Sequence, residues 1–174
     1  KPVQYLAIHA EITERKRAER ELRASEARFQ ALVANSPGVI YQWYRRENGE
    51  DGLYFLSPRI WDVFGLDPAG VKRNWRETFK VQDADREAFY NEIDEAVAHR
   101  RPLTFEGQLI NDAGRKHWFQ IMATPLVQPD REIIFNGIIV NVTEQKETEL
   151  ALREAKEAAE AATRAKSEFL ANIS

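Results

Sequence analysis

Three histidines, His9, His99 and His117, are the first side chains whose type suggests chemistry, because imidazole ligates metals and transfers protons near neutral pH. Their placement does not supply it. They are scattered, without the paired spacing of a metal centre, so no metal site is expected. The chain has no Cys, which excludes disulfides, thiolate metal sites, a cysteine nucleophile and cysteinyl-flavin photochemistry. No Ser/His/Asp set, phosphate-cradling glycine loop or carboxylate pair of defined spacing is present, and no catalytic activity is expected within these residues. Asp83, Asp85 and Asp94 read as capping and solvated-face residues of a helix. Charge narrows the partners: 25 Lys and Arg stand against 28 Asp and Glu, a formal net charge of -3. That is not the basic excess of a nucleic-acid-binding domain. The longest apolar runs, 133–135 and 137–140, fall far short of the ~20 residues that cross a bilayer, so no membrane contact is expected. With 43% hydrophobic and 30% charged residues in 174, the composition is that of one ordinary folded domain with flanking segments.

The elements that must position these residues follow from periodicity. Residues 13–35 carry Ala18, Leu22, Phe29, Leu32 and Val33 at helical spacing, with Thr13 suited to an N-cap, and Ser36-Pro37 ends the pattern. Between 36 and 142 the period changes to two. Strands are expected at 39–45, 53–56, 103–110, 116–124 and 133–140, the third and fourth forming a hairpin around Asn111-Asp112-Ala113-Gly114-Arg115. Phe119, Ile121 and Ala123 fall on one face, Trp118 and Met122 on the other, so the sheet needs cover on both. Short helices should follow Ser57-Pro58, and a longer one runs from Asp83 to about His99, with Phe89, Ile93 and Val97 on one face. From Thr143 onward the chain is Glu- and Ala-rich. Leu152, Ala155, Ala159, Ala162, Lys166, Phe169 and Ile173 recur at 3-4 spacing and form a coiled-coil seam. A helix over 143–174 would be roughly 48 Å long, too long and too polar to lie wholly on so small a domain. It calls for a partner helix.

An internal repeat links the two ends. At an offset of 130, Ile8, Thr13, Glu14, Lys16, Glu19, Leu22 and Arg23 match Ile138, Thr143, Glu144, Lys146, Glu149, Leu152 and Arg153. A strand, a Thr and a charged helix occur twice. Residues 1–12 are therefore expected to be the final strand of an upstream copy of the domain, and the chain to be a piece of a longer protein.

The element order, ending in Ile139-Val140-Asn141-Val142-Thr143 before a coiled coil, resembles a PAS domain. The resemblance covers about residues 25–149. It is carried by Ser25-Glu26-Ala27-Arg28-Phe29 with Asn35-Ser36-Pro37, by Ser57-Pro58 with Phe64-Gly65-Leu66, by Asp83-Ala84-Asp85-Arg86, and by Asp112-Ala113-Gly114 with Trp118. It implies an α+β fold: a five-stranded antiparallel sheet with helices on one face, flanked by N-terminal and C-terminal coiled-coil helices. The segments are then a remnant strand (1–12), a linker helix (13–35), the PAS domain (36–142) and a signalling helix (143–174). Where the family has Asp-Ile-Thr at the exit, this chain has Asn141, Val142 and Thr143, so the signal junction keeps its hydrogen bonding but loses a charge, and weaker electrostatic coupling is expected there. The run Ala165-Lys166-Ser167-Glu168-Phe169-Leu170-Ala171-Asn172-Ile173-Ser174 resembles the start of the dimerisation and phosphoacceptor helix of sensor histidine kinases.

What the resemblance implies for function is a cytoplasmic sensory or relay module of a two-component histidine kinase. It would form a homodimer through its flanking helices, receive a signal from ligand or upstream PAS copy, and pass it to a downstream kinase core. A ligand-free structural relay and a module of a diguanylate cyclase are the alternatives. A pocket in such a fold would lie among Tyr41, Trp43, Trp61, Phe64, Trp75, Phe79, Phe89, Phe105, Phe119 and Ile121, aromatics that equally fit plain core. Gln42, Gln108 and Gln120 are candidate polar contacts if they face it. No cofactor is predicted. A small-molecule ligand is compatible, whereas flavin is not expected, nor haem, since His99 sits amid Arg100, Arg101 and Pro102.

Overall fold

A computed structural model describes residues 2–173, with side chains from Glu11 to Ile173. Lys1, Ser174 and the side chain of His9 lie outside the described residues. The chain divides into two units, residues 1–37 and 38–174.

The first unit is one helix, α1 (Pro2–Asn35). Its exposed face carries the i,i+4 pairs Arg17–Glu21 at 3.0 Å and Glu19–Arg23 at 2.7 Å, and it stops at Asn35, immediately before Ser36-Pro37. The strand expected at 1–12 is not formed: residues 2–12 continue the helix, and Thr13 is an interior residue rather than an N-cap. The physical reason is that a strand has no ladder without neighbours, whereas a helix propagates one residue at a time from an existing turn.

The second unit is a six-stranded antiparallel sheet in the order β2-β1-β6-β5-β4-β3. The strands are β1 (Val39–Arg45), β2 (Asp51–Leu56), β3 (Lys80–Val81), β4 (Leu103–Ile110), β5 (Lys116–Val127) and β6 (Ile133–Asn141). The sixth strand, unforeseen in the sequence, is the two-residue β3, which pairs Lys80 with Ile110 and Val81 with Leu109 at the edge of β4. Two residues carry no detectable period. β5 also runs three residues past Thr124, through Pro125. β4 stops pairing with β5 at Leu103↔Ala123, so the N–H that proline lacks has no ladder bond to make on that side.

Four helices connect β2 to β4: α2 (Ile60–Phe64), α3 (Pro68–Arg73), α4 (Trp75–Thr78) and α5 (Asp83–His99). Gly65, at φ +69°, ends α2 and donates its N–H to the Trp61 carbonyl at 2.8 Å, a left-handed conformation that glycine adopts freely. Asp67 caps α3, accepting from Gly70 N at 2.9 Å, with Pro68 in the first turn. At the start of α5, Asp85 does more than face solvent. Its Oδ2 accepts from Gln108 N at 2.8 Å and docks the helix onto β4, while Asp83 pairs with Arg86 at 2.7 Å.

Register assigns the faces. Val39, Tyr41 and Trp43 of β1 lie opposite Ile139, Gly137 and Phe135 of β6, and Phe119, Ile121 and Ala123 of β5 continue the same inward row. With Ile60, Phe64, Val71, Phe89 and Ile93 from the helices they form one buried core. The other face holds Ile40, Gln42, Gln120, Met122 and Ile138; Met122 is 39% exposed. The last element, α6 (Thr143–Ile173), has no buried residue.

Candidate functional site

The inward face of the sheet and α2 to α5 enclose an apolar cavity of about 50 Å³. Tyr41, Trp43, Trp75, Phe79, Phe89 and Ile121 border it, joined by Leu53, Leu56, Val71, Ile93 and other aliphatics that sequence reasoning did not name. Phe64, Phe105 and Phe119 belong to the surrounding core instead, in edge and tilted ring contacts such as Phe89–Phe119 at 5.9 Å and Phe105–Phe119 at 6.1 Å. Trp61 does not take part and is 61% exposed. In the five-residue α2, Ile60 and Phe64 are four apart and take the buried side, which turns the residue after Ile60 about 100° away. The three glutamines also lie elsewhere. Gln42 pairs in register with Asn136, Gln108 with Trp118 and Gln120 with Val140, all on the outer row, and Gln42 Nε2 donates to Asn136 Oδ1 at 2.7 Å.

Two tryptophans on this face differ in one respect. Trp75 Nε1 donates to Asp51 Oδ1 at 2.8 Å, and the same carboxylate pairs with Arg76 and, at 3.3 Å, with Arg45. Among the described residues, Trp43 Nε1 has no hydrogen-bond partner, and neither has the Tyr41 hydroxyl. Burial pushes the Tyr41 phenol far above its ordinary 10.0, so it stays protonated and able to donate. Each such group leaves about 1–3 kcal/mol of desolvation uncompensated. The close approach of Gly137 is what admits the Tyr41 ring: a Cβ there would stand 2.7 Å from Tyr41 Cε1 and 2.6 Å from the Met122 carbonyl oxygen.

The second candidate site is the junction where β6 becomes α6. Asn141 Oδ1 accepts from Thr143 N at 3.0 Å and from Thr143 Oγ1 at 2.6 Å, capping the helix. Thr143 Oγ1 in turn accepts from Trp118 N at 2.9 Å, and the Trp118 carbonyl accepts from Val142 N at 3.0 Å. Asn141 Nδ2 donates to the Val63 carbonyl at 3.1 Å and lies 3.3 Å from His117 Nδ1. The other ring nitrogen of His117 lies 3.4 Å from Asn111 Nδ2, and Asn111 Nδ2 donates to the Phe64 carbonyl at 3.0 Å. His117 is thus bracketed by two carboxamide N–H₂ groups. Its pKa is lowered from 6.5, first by burial and then by the charge of Arg115. One turn into α6, Lys146 bonds Glu106 of β4 at 2.6 Å, which raises the Lys146 pKa, and its Nζ lies 5.8 Å from the Trp118 ring centroid.

Sequence reasoning named Asn141, Val142 and Thr143 here. It missed His117, Trp118, Asn111 and Lys146 as junction residues, because nothing in linear spacing joins the end of β6 to the start of β5 and to the α2 carbonyls.

No family model matches the chain. A curated relative, the uncharacterized protein y4lL of Sinorhizobium fredii, is 27% identical over 146 residues, 80% of this chain but 16% of its own length. Among solved structures, that of a sensory box histidine kinase/response regulator from Burkholderia thailandensis is 22% identical. It covers 76% of this chain and 98% of its own, with a TM-score of 0.56. The PAS domain of a protein from Colwellia psychrerythraea is 15% identical over 70% of this chain and 98% of its own, TM-score 0.53. The N-terminal domain of a diguanylate cyclase with PAS/PAC sensor from Marinobacter aquaeolei is 12% identical, covering 62% of this chain and 98% of its own, TM-score 0.52. The chain has the PAS fold. Within it, the cavity lies between the inner sheet face and the connecting helices, and the Asn141 to Thr143 network lies where β6 hands over to α6. No helix among the described residues is long and apolar enough to cross a membrane, and they contain no cluster of three or more His, Asp and Glu placed to hold a metal ion.

Proposed function

We propose that this PAS domain is the sensory or relay and dimerisation module of a cytoplasmic two-component histidine kinase, passing its signal through α6 to control autophosphorylation of a downstream His. The observation that carries this reading is the contrast along α6. Its first turn is tied to the sheet through Thr143, Lys146 and Glu106. Beyond it, Leu152, Phe169 and Ile173 are 71%, 65% and 65% exposed on a helix with no buried residue. An apolar stripe of that length, at seam spacing, has its use in pairing with the same helix of a second copy. The kinase-like run 165–174 supports a histidine kinase as the output, and the repeat at offset 130 supports an upstream copy as one input.

Ala155, Ala159 and Ala162 make that seam shallow, so alternative helix registers lie close in energy and a small change at the junction selects between them. Ala155→Leu with Ala159→Leu should deepen the seam and hold the intact kinase in one output state. Autophosphorylation that still responds fully to stimulus in the double variant would refute the mechanism. Native mass spectrometry of the 174-residue chain tests the pairing itself, a dimer being the expected result. The likeness to the PAS/PAC sensor of a diguanylate cyclase favours a second reading, in which the same helix pair drives a cyclase; phosphotransfer to a His in the full-length protein separates the two.

A further inference from the structure

At the base of α6, His117 is half-buried, with the Phe64 ring edge-on at 5.9 Å. Its ring nitrogens face Asn141 Nδ2 at 3.3 Å and Asn111 Nδ2 at 3.4 Å. Neither carboxamide is free to turn over. Asn141 Oδ1 accepts from Thr143 N while its Nδ2 donates to the Val63 carbonyl, and Asn111 Oδ1 accepts from Arg115 N at 2.9 Å while its Nδ2 donates to the Phe64 carbonyl. Those two carbonyls stand at the end of α2, where a helix has no later N–H of its own to bond them. Reversing either amide would set oxygen against carbonyl oxygen and N–H₂ against N–H, so the backbone fixes both carboxamides as donors toward the ring.

An imidazole held between two donors suits one charge state. The neutral ring has one accepting nitrogen and takes one of the two N–H₂ groups. The imidazolium carries N–H on both nitrogens and meets an acceptor at neither. The other neighbours do not compensate a second proton: α2 presents the Phe64 ring, β4 and β6 lead to the two carboxamides, and Arg115 of the β4–β5 turn is the charge that acts on the ring, with the opposing sign. In the first turn of α6, Lys146 is engaged with Glu106 and Glu149. Asn141 is the shared part, because the carboxamide that meets the ring also caps α6 and ties it to α2.

We propose that His117 is a proton-operated latch between α2 and α6: the neutral ring keeps Asn141 beneath the Val63 carbonyl, and uptake of a second ring proton drives the ring out of its bracket and Asn141 off α2, loosening the first turn of α6. The latch rests on the reading of α6 as the output helix and adds the proton as an input, separate from anything the cavity holds.

The test follows the ¹⁵N-labelled 174-residue chain by NMR from about pH 8 to about pH 4.5, a range that extends below the ordinary histidine value. The ring nitrogens of His117, the Thr143 amide and amide protection from Thr143 to Lys146 are read together. The expected result is one protonated ring nitrogen at the alkaline end, then a step at Thr143 with the same midpoint as the ring and an about fivefold loss of protection in the first turn of α6, the worth of one helix cap. His117→Gln does not titrate and should erase the step at Thr143. Asn111→Asp is the second variant. Its carboxylate still accepts from Arg115 N and attracts the imidazolium from the side away from Asn141, so the ring and Thr143 midpoints should move together to higher pH.

A Thr143 step that survives in His117→Gln would overturn the latch, as would a ring that titrates without any response in α6. Midpoints that separate in Asn111→Asp would overturn it too. Each of these results leaves the helix pairing measured by native mass spectrometry intact, whereas a chain that stays monomeric strikes the reading of α6 as a pairing seam and leaves the coupling between His117 and Thr143 to be judged by the same titration.

Discussion

The sheet domain and α6 use the same kinds of side chain to opposite ends. Phe64, Phe89, Phe119 and Phe135 are at most 2% exposed in a core that residues 38–142 complete among themselves, whereas Leu152, Phe169 and Ile173 stand open on a helix that buries nothing. Apolar area removed from water stabilises by roughly 25 cal/mol per Å², so the first set holds the fold of a single chain and the second contributes only once something covers it. The difference separates the folding problem from the signalling problem. A domain whose core is self-sufficient can change the helix leaving it without unfolding.

The sharpest way to break that comparison is to truncate one aromatic from each region. Phe119→Ala should cost about 3–5 kcal/mol of unfolding free energy, whereas Phe169→Ala should leave the sheet domain's stability within about 0.5 kcal/mol while weakening dimerisation. Urea unfolding read by tryptophan fluorescence, together with sedimentation, checks both. Equal destabilisation of the domain by the two variants would mean that α6 belongs to the core after all.

Gly137→Ala addresses the close packing of Tyr41 over β6. The added methyl meets backbone and ring atoms under 3.0 Å away, and about 1–3 kcal/mol of destabilisation is expected, measurable in the same assay.

At the boundary between the regions the expected effects are smaller. Thr143→Ala removes the single hydroxyl that both accepts from Trp118 N and donates to Asn141 Oδ1. It should cost about 0.5–2 kcal/mol and fray the first turn of α6, seen as faster amide exchange there. Asn141→Asp turns a donor to the Val63 carbonyl into an acceptor and places a carboxylate beside His117. The His117 pKa should then rise from its lowered position, and an unchanged NMR titration of that ring would contradict the geometry.

The pH dependence of the unaltered protein is the finest probe. The His117 pKa is lowered in the fold, so the unfolded chain binds the proton more readily. The contribution of neutral His117 is therefore complete above the ordinary 6.5 and is lost as pH falls from there through the lowered folded value. His117→Gln should remove that part of the decline, with stabilities compared between pH 7.5 and 5.5. A slope identical in both proteins would show that His117 is not shielded at the junction.

Much of this molecule was legible along the chain. Alternation placed β1 at 39–45 and β4 at 103–110, and helical spacing placed α5 from Asp83 to His99, because those segments carry their own period and punctuation. Alternation also put Phe119, Ile121 and Ala123 on one face of β5, while the inward position of Tyr41, Trp43 and Phe119 came from the resemblance to the PAS fold. Other features were invisible for physical reasons. β3 is two residues long, below any period, and the helical course of 2–12 reflects continuity with α1 where a strand pattern has no ladder to join. Trp61 looked like core, but a five-residue helix has room for one buried stripe, and Ile60 and Phe64 take it.

The sequence by itself determined the α+β order, which residues of a strand share a face, and the charged helix that leaves the domain, since each depends on the spacing of neighbours within one segment. Only the tertiary structure decided that Gln42, Gln108 and Gln120 face away from the cavity, that two donors on β1 find no acceptor among the described residues, and that His117, Asn141 and Asn111 meet at the base of α6. These depend on which strands pair and in what register. A shift of one residue would exchange the faces of a strand while leaving its linear pattern unchanged.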